Sequence, residues 1–145
     1  MAVTYDKISF DKIEQAIKFI LDDDFPNVYI SPKFHMQGNE CVRINLLSSE
    51  SEELATNFEV RNYNISVRYY TKADMNKEQD NEFVKNRIDK LKKALIDNQV
   101  KSTSANWAKL EVEEIEYNVE DDDNEDKDDI YIAELSVLAT NYNQF

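Results

Sequence analysis

The sequence predicts an α+β domain in which two helices pack on one face of a mostly antiparallel sheet. Two segments carry apolar residues at intervals of three and four, the spacing of a buried helical face. Several other segments alternate apolar and polar residues, as strands with one buried face do. The order helix, strands, helix, strands lacks the regular strand-helix-strand alternation of parallel sheets, and this favours the α+β class.

Length and composition predict one folded domain. The chain has 145 residues, of which 41% are hydrophobic, and its 7 Phe, 8 Tyr and 1 Trp are too many for a disordered acidic chain. No apolar run approaches the roughly 20 residues that span a bilayer, and the N-terminal segment lacks a secretory signal pattern. We therefore expect a cytosolic protein with no membrane association.

The first half of the chain predicts one helix and two strands. Residues 10–21 place their apolar side chains on one helical face, and Pro26 prevents continuation of the helix. Residues 28–30 predict a short strand, and residues 42–46 predict a strand whose second face, with Arg43, is wet. The wholly polar residues 48–53 (SSESEE) predict a mobile loop.

The middle of the chain predicts an extended segment followed by a helix. In residues 54–71 apolar and polar residues alternate, as in a strand. The apolar residues stand at even positions up to Val60 and at odd positions from Tyr63, and this change predicts a bulge or short turn near Arg61 and Asn62. From about residue 79 to residue 97, apolar residues recur at helical spacing. This segment predicts the second amphipathic helix.

The last third predicts a hairpin with a long loop. Its strands lie at about residues 110–119 and 131–137, and a change of parity at Glu113 and Glu114 predicts an irregularity in the first. The loop, residues 120–129 (EDDDNEDKDD), has eight acidic residues and one lysine, a net charge of -7 within a chain of net charge -13. Hairpin loops usually have 2 to 5 residues, and longer loops are often functional.

Residue types that carry catalysis are scarce. One histidine, His35, and one cysteine, Cys41, give no clear zinc tetrad or nucleophilic triad, and Gly38 as the single glycine excludes glycine-rich phosphate cradles. We expect Cys41 to be a small buried hydrophobe and His35 a surface residue. Solvated acids catalyse little. The sequence therefore predicts neither an enzyme nor a cofactor.

The acidic loop is a poor calcium site and a poor nucleic-acid site. With Asp121 as the first position of an EF-hand loop, Asp126 stands where glycine is needed and Ile132 where a bidentate glutamate is needed. Weak adventitious cation binding stays open, but no dedicated metal site is predicted. Affinity for nucleic acid comes largely from Lys and Arg that neutralise phosphates, so ordinary DNA or RNA binding is disfavoured.

The order of segments resembles that of the tail terminator family of tailed bacteriophages. The likeness rests on the strand at residues 62–71 (NYNISVRYYT), which leads through a polar loop into the helix at about residues 79–97, and it covers most of the chain. It implies a structural virion protein, assembled in the host cytoplasm, that forms a ring, typically of six subunits, on the completed tail tube. Its implied partners are the tail tube protein and the head-tail connector or neck proteins. Other neck and tail completion proteins have a similar pattern.

Ring closure requires heterologous contacts, in which one face of each subunit meets a different face of the next. Sheet edges, the termini and the two predicted loops at residues 48–57 and 120–129 are available for them. An acidic channel wall would repel DNA, which then passes without specific binding. The candidate assembly or channel surface comprises Glu50, Glu52, Glu53, Glu111, Glu113, Glu114, Glu116, Glu120, Asp121, Asp122, Asp123, Glu125, Asp126, Asp128 and Asp129.

Two hypotheses from other classes remain. An acidic DNA mimic would block a nucleic-acid enzyme, but it needs acids spread along a surface, whereas the charge here is concentrated on one loop. A small host adaptor domain is the third hypothesis. The mass of the native protein separates a ring from a monomer or dimer.

Overall fold

The computed structural model describes residues 10–34, 36, 38–56, 58–72, 77–98, 107–119 and 130–144. The elements are α1 (Phe10–Asp22), β1 (Val28–Ile30), β2 (Glu40–Ala55), β3 (Phe58–Lys72), α2 (Glu78–Asp97), β4 (Trp107–Tyr117) and β5 (Ile130–Gln144). The strands form one five-stranded sheet of order β1-β2-β3-β5-β4. β1 and β2 are parallel and the other neighbours antiparallel. The predicted α+β class is confirmed.

Both helices pack on one face of the sheet, as predicted. One cluster of buried residues joins them to the strands. The larger members are Ile13, Ile17 and Leu21 of α1, Val84, Ile88, Leu91 and Leu95 of α2, and Ile44, Tyr63, Ile65, Val67, Tyr69, Leu135 and Val137 of the sheet. Each fully buried aliphatic side chain contributes about 1.5–3 kcal/mol relative to leaving it exposed. This shared core fixes the helices relative to the sheet.

A smaller cluster covers one end of the opposite face. Phe34, from the segment after β1, stacks on Tyr70 with 4.3 Å between ring centroids. Arg43 donates a hydrogen bond to the Pro32 carbonyl at 3.0 Å, and its guanidinium lies 5.9 Å from the Tyr70 ring centroid. Arg43 is only 6% exposed, so the predicted wet face at this position is wrong. Cys41 is buried, as predicted.

The predicted mobile loop at residues 48–53 is wrong, because these residues belong to β2. Their backbone pairs with β3 from Ser48 opposite Asn64 to Ala55 opposite Phe58. The ladder uses main-chain groups, whatever the polarity of the side chains. Asn64 also donates a side-chain hydrogen bond to the Ser48 hydroxyl at 3.0 Å. The polar composition therefore marks an exposed strand.

The break predicted near Arg61 and Asn62 is also wrong. β3 pairs with β5 without a register shift over its whole length. Val60 remains on the face opposite to Tyr63, and both residues are buried. The two parities in β3 therefore belong to opposite faces of one continuous strand.

The irregularities lie in the flanking strands instead. β2 shifts register between Leu46 and Ser48 and again between Ser51 and Glu53. β4 shifts register between Val112 and Glu114, so the irregularity predicted there is confirmed. β4 and β5 pair antiparallel, and residues 120–129, the predicted loop between them, lie outside the described residues. His35 also lies outside them.

Candidate assembly surface

The sheet face away from the helices carries most of the predicted acidic residues of β4. Glu111 stands opposite Leu138, Glu114 opposite Ser136, and Glu116 opposite Glu134. Val112 and Ile115 of the same strand pack against the helical core, so these three glutamates project from the other face. We call this surface the polar sheet face; it comprises Glu50, Asn62, Asn64, Ser66, Glu111, Glu114, Glu116, Ser136 and Thr140.

Neutral polar groups occupy the middle of the polar sheet face. Thr140 donates a hydrogen bond to the Asn62 side-chain carbonyl at 2.8 Å, and the amide of Asn62 donates to Glu52 at 3.0 Å. These contacts run across β5, β3 and β2, which are neighbours in the sheet. The amides and hydroxyls therefore form a hydrogen-bonded band between the acidic residues of β2 and those of β4.

Most of the described cations on this face are paired with carboxylates or carbonyl oxygens, and the exposed Lys72 lies on the same face at the end of β3. Arg68 donates from Nε to Glu134 Oε2 at 2.5 Å, and Lys109 forms an ion pair with Glu111. Burial lowers the pKa of Arg68, but the hydrogen bond and charge of Glu134 outweigh it and hold the pKa above its ordinary value. Arg43 is turned toward the Pro32 carbonyl. The face therefore offers few cations for phosphate neutralisation.

The structure brings only part of the predicted acidic set together. Glu111, Glu114 and Glu116 share the polar sheet face with Glu50, while the exposed Glu113 lies at the register shift of β4. Glu52 reaches the same face through Asn62, and Glu53 lies in β2. The eight predicted acidic residues at positions 120–129 lie outside the described residues.

An ion-pair cluster that the sequence did not reveal fixes α2 to the sheet. Arg87 of α2 donates to both carboxylate oxygens of Glu40, the first residue of β2, at 3.0 and 2.6 Å. It also donates to the Asp24 carbonyl at 2.8 Å, and its guanidinium lies 4.3 Å from the Phe25 ring centroid. One side chain thus ties together α2, β2 and the connection between α1 and β1.

Tyr69 completes this cluster from β3. Its hydroxyl donates a hydrogen bond to Glu40 Oε2. Burial, and then the hydrogen bond and charge of Glu40, raise the pKa of Tyr69 well above its ordinary value, so the hydroxyl remains a neutral donor. No sequence motif signals the cluster, since Glu40, Tyr69 and Arg87 are far apart in the chain. Its geometry indicates a structural tie.

No group of three or more His, Cys, Asp and Glu side chains in the described ranges is arranged to hold a metal ion. None of the described helices is both long enough and apolar enough to cross a membrane.

The fold is that of an α+β protein whose sheet is covered by two helices on one face and carries polar and acidic residues on the other. The sequence matches the family described as phage tail terminator protein over residues 12–131. Because this match spans most of the chain, the protein belongs to the phage tail terminator family and is a bacteriophage structural protein.

Solved structures of similar fold include the sheath/tube terminator of an extracellular contractile injection system in its extended state. The identity is 13%, the TM-score is 0.46, and the match covers 91% of this chain and 56% of that one, so this chain spans little more than half of that terminator. A second solved structure matches over 95% of this chain and 96% of its own, with 15% identity and a TM-score of 0.45. No curated protein matches the sequence.

Proposed function

We propose that this protein is a bacteriophage tail terminator that forms a ring, most simply of six subunits, on the end of the tail tube. The ring caps the tube, joins it to the head or neck, and leaves a channel through which DNA passes. Membership of the phage tail terminator family, over residues 12–131, is the observation that carries this proposal.

The polar sheet face is the surface best suited to the channel wall. Glu114 and Glu116 add negative charge to it, and Arg68 is already engaged by Glu134. Binding of DNA gains affinity when Lys and Arg neutralise phosphates and release counterions, and this face offers little of that gain. A wall of this kind keeps DNA from adhering as it moves through the channel.

This orientation assigns the other surfaces of the subunit. With the polar sheet face toward the channel, α1 and α2 lie on the outside of the ring. The β1 edge and the β4 edge of the sheet then face neighbouring subunits, because they are the two ends of the strand order. Such an arrangement gives the heterologous contacts that a closed ring needs.

Native mass measurement combined with electron microscopy of isolated tails tests the proposed function. The expected result is a ring whose mass is a multiple of 17.0 kDa, either in solution or after addition of tail tubes, located at one end of each tube. A monomer in solution does not contradict the proposal if the ring forms on tubes. Absence of any binding to tail tubes contradicts it, and a monomer or dimer that instead binds a DNA-handling enzyme supports the DNA-mimic hypothesis.

The site at which the protein binds distinguishes a tail terminator from another neck or tail completion protein. Infections with phage that lack this protein should accumulate heads and tails that are not joined. The purified protein, when it is added to these parts, should bind to the ends of the tails. Binding of the purified protein to the heads alone would place it among the neck proteins and would contradict the terminator role.

A further inference from the structure

We infer that neighbouring copies of this chain join their sheets edge to edge. Residues 107–111 of β4 on one copy pair antiparallel to residues 48–51 of β2 on the next copy. The occupant of each open sheet edge is thus a second copy of the chain. This inference rests on the proposed ring and names the contact that closes it.

The outer side of β2 is open over most of its length. The last backbone hydrogen bond on that side runs from the Ser31 amide to the Ile44 carbonyl at 3.2 Å, and the next residue, Pro32, has no N–H to continue the ladder. Beyond this point no other described strand lies outside β2, and residues 47–52 are exposed. An unpaired strand edge is a template for another strand.

The main-chain groups of β2 that face outward change parity at its first irregularity. On the outer side the Val42 amide donates to a backbone carbonyl at 2.8 Å and the Leu46 amide donates to a carboxylate at 3.2 Å. The register shift between Leu46 and Ser48 adds one residue and moves the outward positions from even to odd numbers. The main-chain groups of Ser49 therefore face outward, where no described strand pairs with them.

β4 provides a second open edge at the other end of the sheet. It is the last strand in the sheet order, so no described strand lies outside it. The Val119 amide donates to the Ile132 carbonyl at 2.9 Å, which shows that even-numbered residues of β5 turn their main-chain groups toward β4. Leu110 stands opposite Ala139, an odd-numbered residue, and its own main-chain groups therefore face outward.

The two edges have the direction and the level that a ring of sheets requires. β4 is antiparallel to β2 within one sheet, because three antiparallel pairings separate them. Ser49 is level with Leu110 across the sheet, through Tyr63 of β3 and Ala139 of β5. Rotation about an axis along the strands keeps every residue at its level. The next copy therefore brings Leu110 beside Ser49, and their outward main-chain groups form an antiparallel ladder.

The same register places opposite charges side by side on the polar sheet face. Glu50 is level with Lys109, through Asn62 of β3 and Thr140 of β5. Lys109 forms an ion pair with Glu111 of its own chain, and in the ring it also lies beside Glu50 of the next copy. Opposite charges on adjacent strands are favourable. All of these side chains remain on the face proposed to line the channel.

The irregularity of β4 lies at the level where the open edge of β2 ends. Val112 is level with Leu46, and β1 occupies the outer side of β2 from Ile44 toward Val42. β4 shifts register between Val112 and Glu114, and such a bulge bends the strand. The second half of β4 is therefore not needed for the pairing, which is complete before β1 is reached.

Pairing of like edges is disfavoured by charge. Two β2 edges would set Glu50 and Glu52 against their own copies, and two β4 edges would do the same for Glu111, Glu114 and Glu116. Like charges on adjacent strands are destabilising. A contact between identical edges also closes as a dimer, whereas a contact between different edges repeats head to tail into a ring.

Cysteine cross-linking tests the contact directly. In the proposed register Glu50 and Lys109 of adjacent copies form a non-hydrogen-bonded pair, with Cα atoms about 4.5 Å apart, which suits a disulfide. Within one chain β3 and β5 separate these residues, so a disulfide must join two copies. We expect oxidised rings of the Glu50→Cys, Lys109→Cys chain to give covalent oligomers up to the full subunit number on non-reducing gels, and reduction to remove them.

The matched control for cross-linking is a chain with Glu50→Cys and Glu116→Cys. Both residues are exposed, but Glu116 lies in the half of β4 beyond the bulge, away from the proposed contact. This chain should assemble and give no covalent ladder. The buried Cys41 is present in every variant and contributes equally.

A proline substitution tests the main-chain ladder itself. Ser49→Pro removes the outward amide, while Ser48 and Glu50, which pair with β3, keep theirs. We expect this variant to lose the ring in native mass measurements. Ser49→Ala is the control: it removes the hydroxyl, which accepts a hydrogen bond from Arg61 at 3.0 Å, but retains the amide, so it should keep the ring. Circular dichroism shows whether each variant is folded.

Three results would overturn the inference: rings of the Glu50→Cys, Lys109→Cys chain that oxidation does not link, equal linking in the Glu116→Cys control, or a Ser49→Pro ring as stable as that of Ser49→Ala. If Ser49→Pro does not fold, the cross-link alone decides.

The outcome also separates this contact from the proposed function. If the wild type caps tail tubes and the cysteine pair does not link its rings, the ring closes through other surfaces and the terminator role stands. If the wild type neither forms a ring nor binds tail tubes, the terminator role itself fails.

Discussion

The Glu14 carboxylate of α1 accepts a hydrogen bond from the backbone amide of Leu46 at 3.2 Å. Leu46 lies in β2, two residues beyond Ile44, the last residue that pairs with β1. The Glu14 carboxylate therefore binds the main chain of β2 at the point where pairing with β1 has ended. Glu14 is 8% exposed, and the bond is therefore shielded from solvent. α1 is thereby fixed to β2 just beyond the residues that pair with β1.

Replacing Glu14 should cost measurable stability. Glu14→Ala leaves the Leu46 amide without this acceptor, and a lost partner for a buried donor costs about 1–3 kcal/mol. Glu14→Gln retains an oxygen acceptor of nearly the same shape and should lose less. Urea unfolding followed by circular dichroism measures both variants, and equal stability of Glu14→Ala and the wild type would contradict the assignment.

Breaking the Arg87–Glu40 pair should be more costly than breaking an exposed pair. The two side chains are 17% and 14% exposed, and removal of one partner leaves a poorly hydrated charge. We expect Arg87→Met to lower the free energy of unfolding by about 2–4 kcal/mol. This loss approaches that for breaking a fully buried pair, because the Arg87–Glu40 pair is largely but not completely buried.

The control for Arg87 is Lys90→Met, which breaks the more exposed pair with Asp24 and should cost less than about 1 kcal/mol. A double-mutant cycle of Arg87→Met with Glu40→Gln measures the coupling itself. Additive losses would show that the two side chains do not act together.

Stability should fall in alkaline solution partly because of Tyr69. Its pKa in the folded protein is raised above the ordinary value of 10.0, so above about pH 10 the folded state holds a proton that the unfolded state releases. The stabilisation is complete below that pH and is lost progressively as the pH rises. Tyr69→Phe should therefore show a shallower loss of stability between pH 9 and pH 11 than the wild type.

Tyr117→Phe provides the control for the pH experiment because Tyr117 is 52% exposed. Urea midpoints across this pH range measure all three proteins. If Tyr69→Phe loses stability as steeply as the wild type and Tyr117→Phe, the hydroxyl of Tyr69 does not carry the dependence.

If the polar sheet face lines a channel as proposed, reversing the charge of β4 should make that channel adhere to DNA. A variant with Glu111, Glu114 and Glu116 replaced by Lys exchanges a repulsive surface for one that neutralises phosphates. In phage carrying it we expect slower DNA ejection, relieved by added salt, because about 0.9 counterion is released for each phosphate neutralised.

The control for charge reversal places three lysines on the helical layer, at the exposed Glu78, Glu82 and Asp97 of α2. These lie away from the proposed channel wall, so DNA ejection should match that of the wild type. Equal slowing by both variants would show that the effect comes from net charge rather than from the position of β4.

Local patterns predicted the helices well because helical periodicity is set within a few residues. α2 begins at Glu78 and ends at Asp97, against a predicted segment from about residue 79 to residue 97. The parity change at Glu113 likewise records a register shift within the same strand. These features needed no knowledge of the rest of the chain.

Features that depend on distant partners were predicted poorly. Residues 48–53 are polar, and their strand conformation depends on the ladder with β3. The alternation of residues 42–46 predicts that Arg43 is exposed to solvent, yet Pro32 and Tyr70 cover it. The Arg87 cluster joins residues up to 63 positions apart, as its hydrogen bond to Asp24 shows, and no local spacing indicates such a contact.

The placement of β4 in the assembled particle tests the central claim most directly. A cryo-electron microscopy reconstruction of the tail end, at a resolution that distinguishes strands from helices, should show a ring of this protein on the tail tube. The account predicts that the polar sheet face, with Glu111, Glu114 and Glu116, lines the channel while α1 and α2 lie outside. A ring with the helices toward the channel and these glutamates on its outer surface would contradict it.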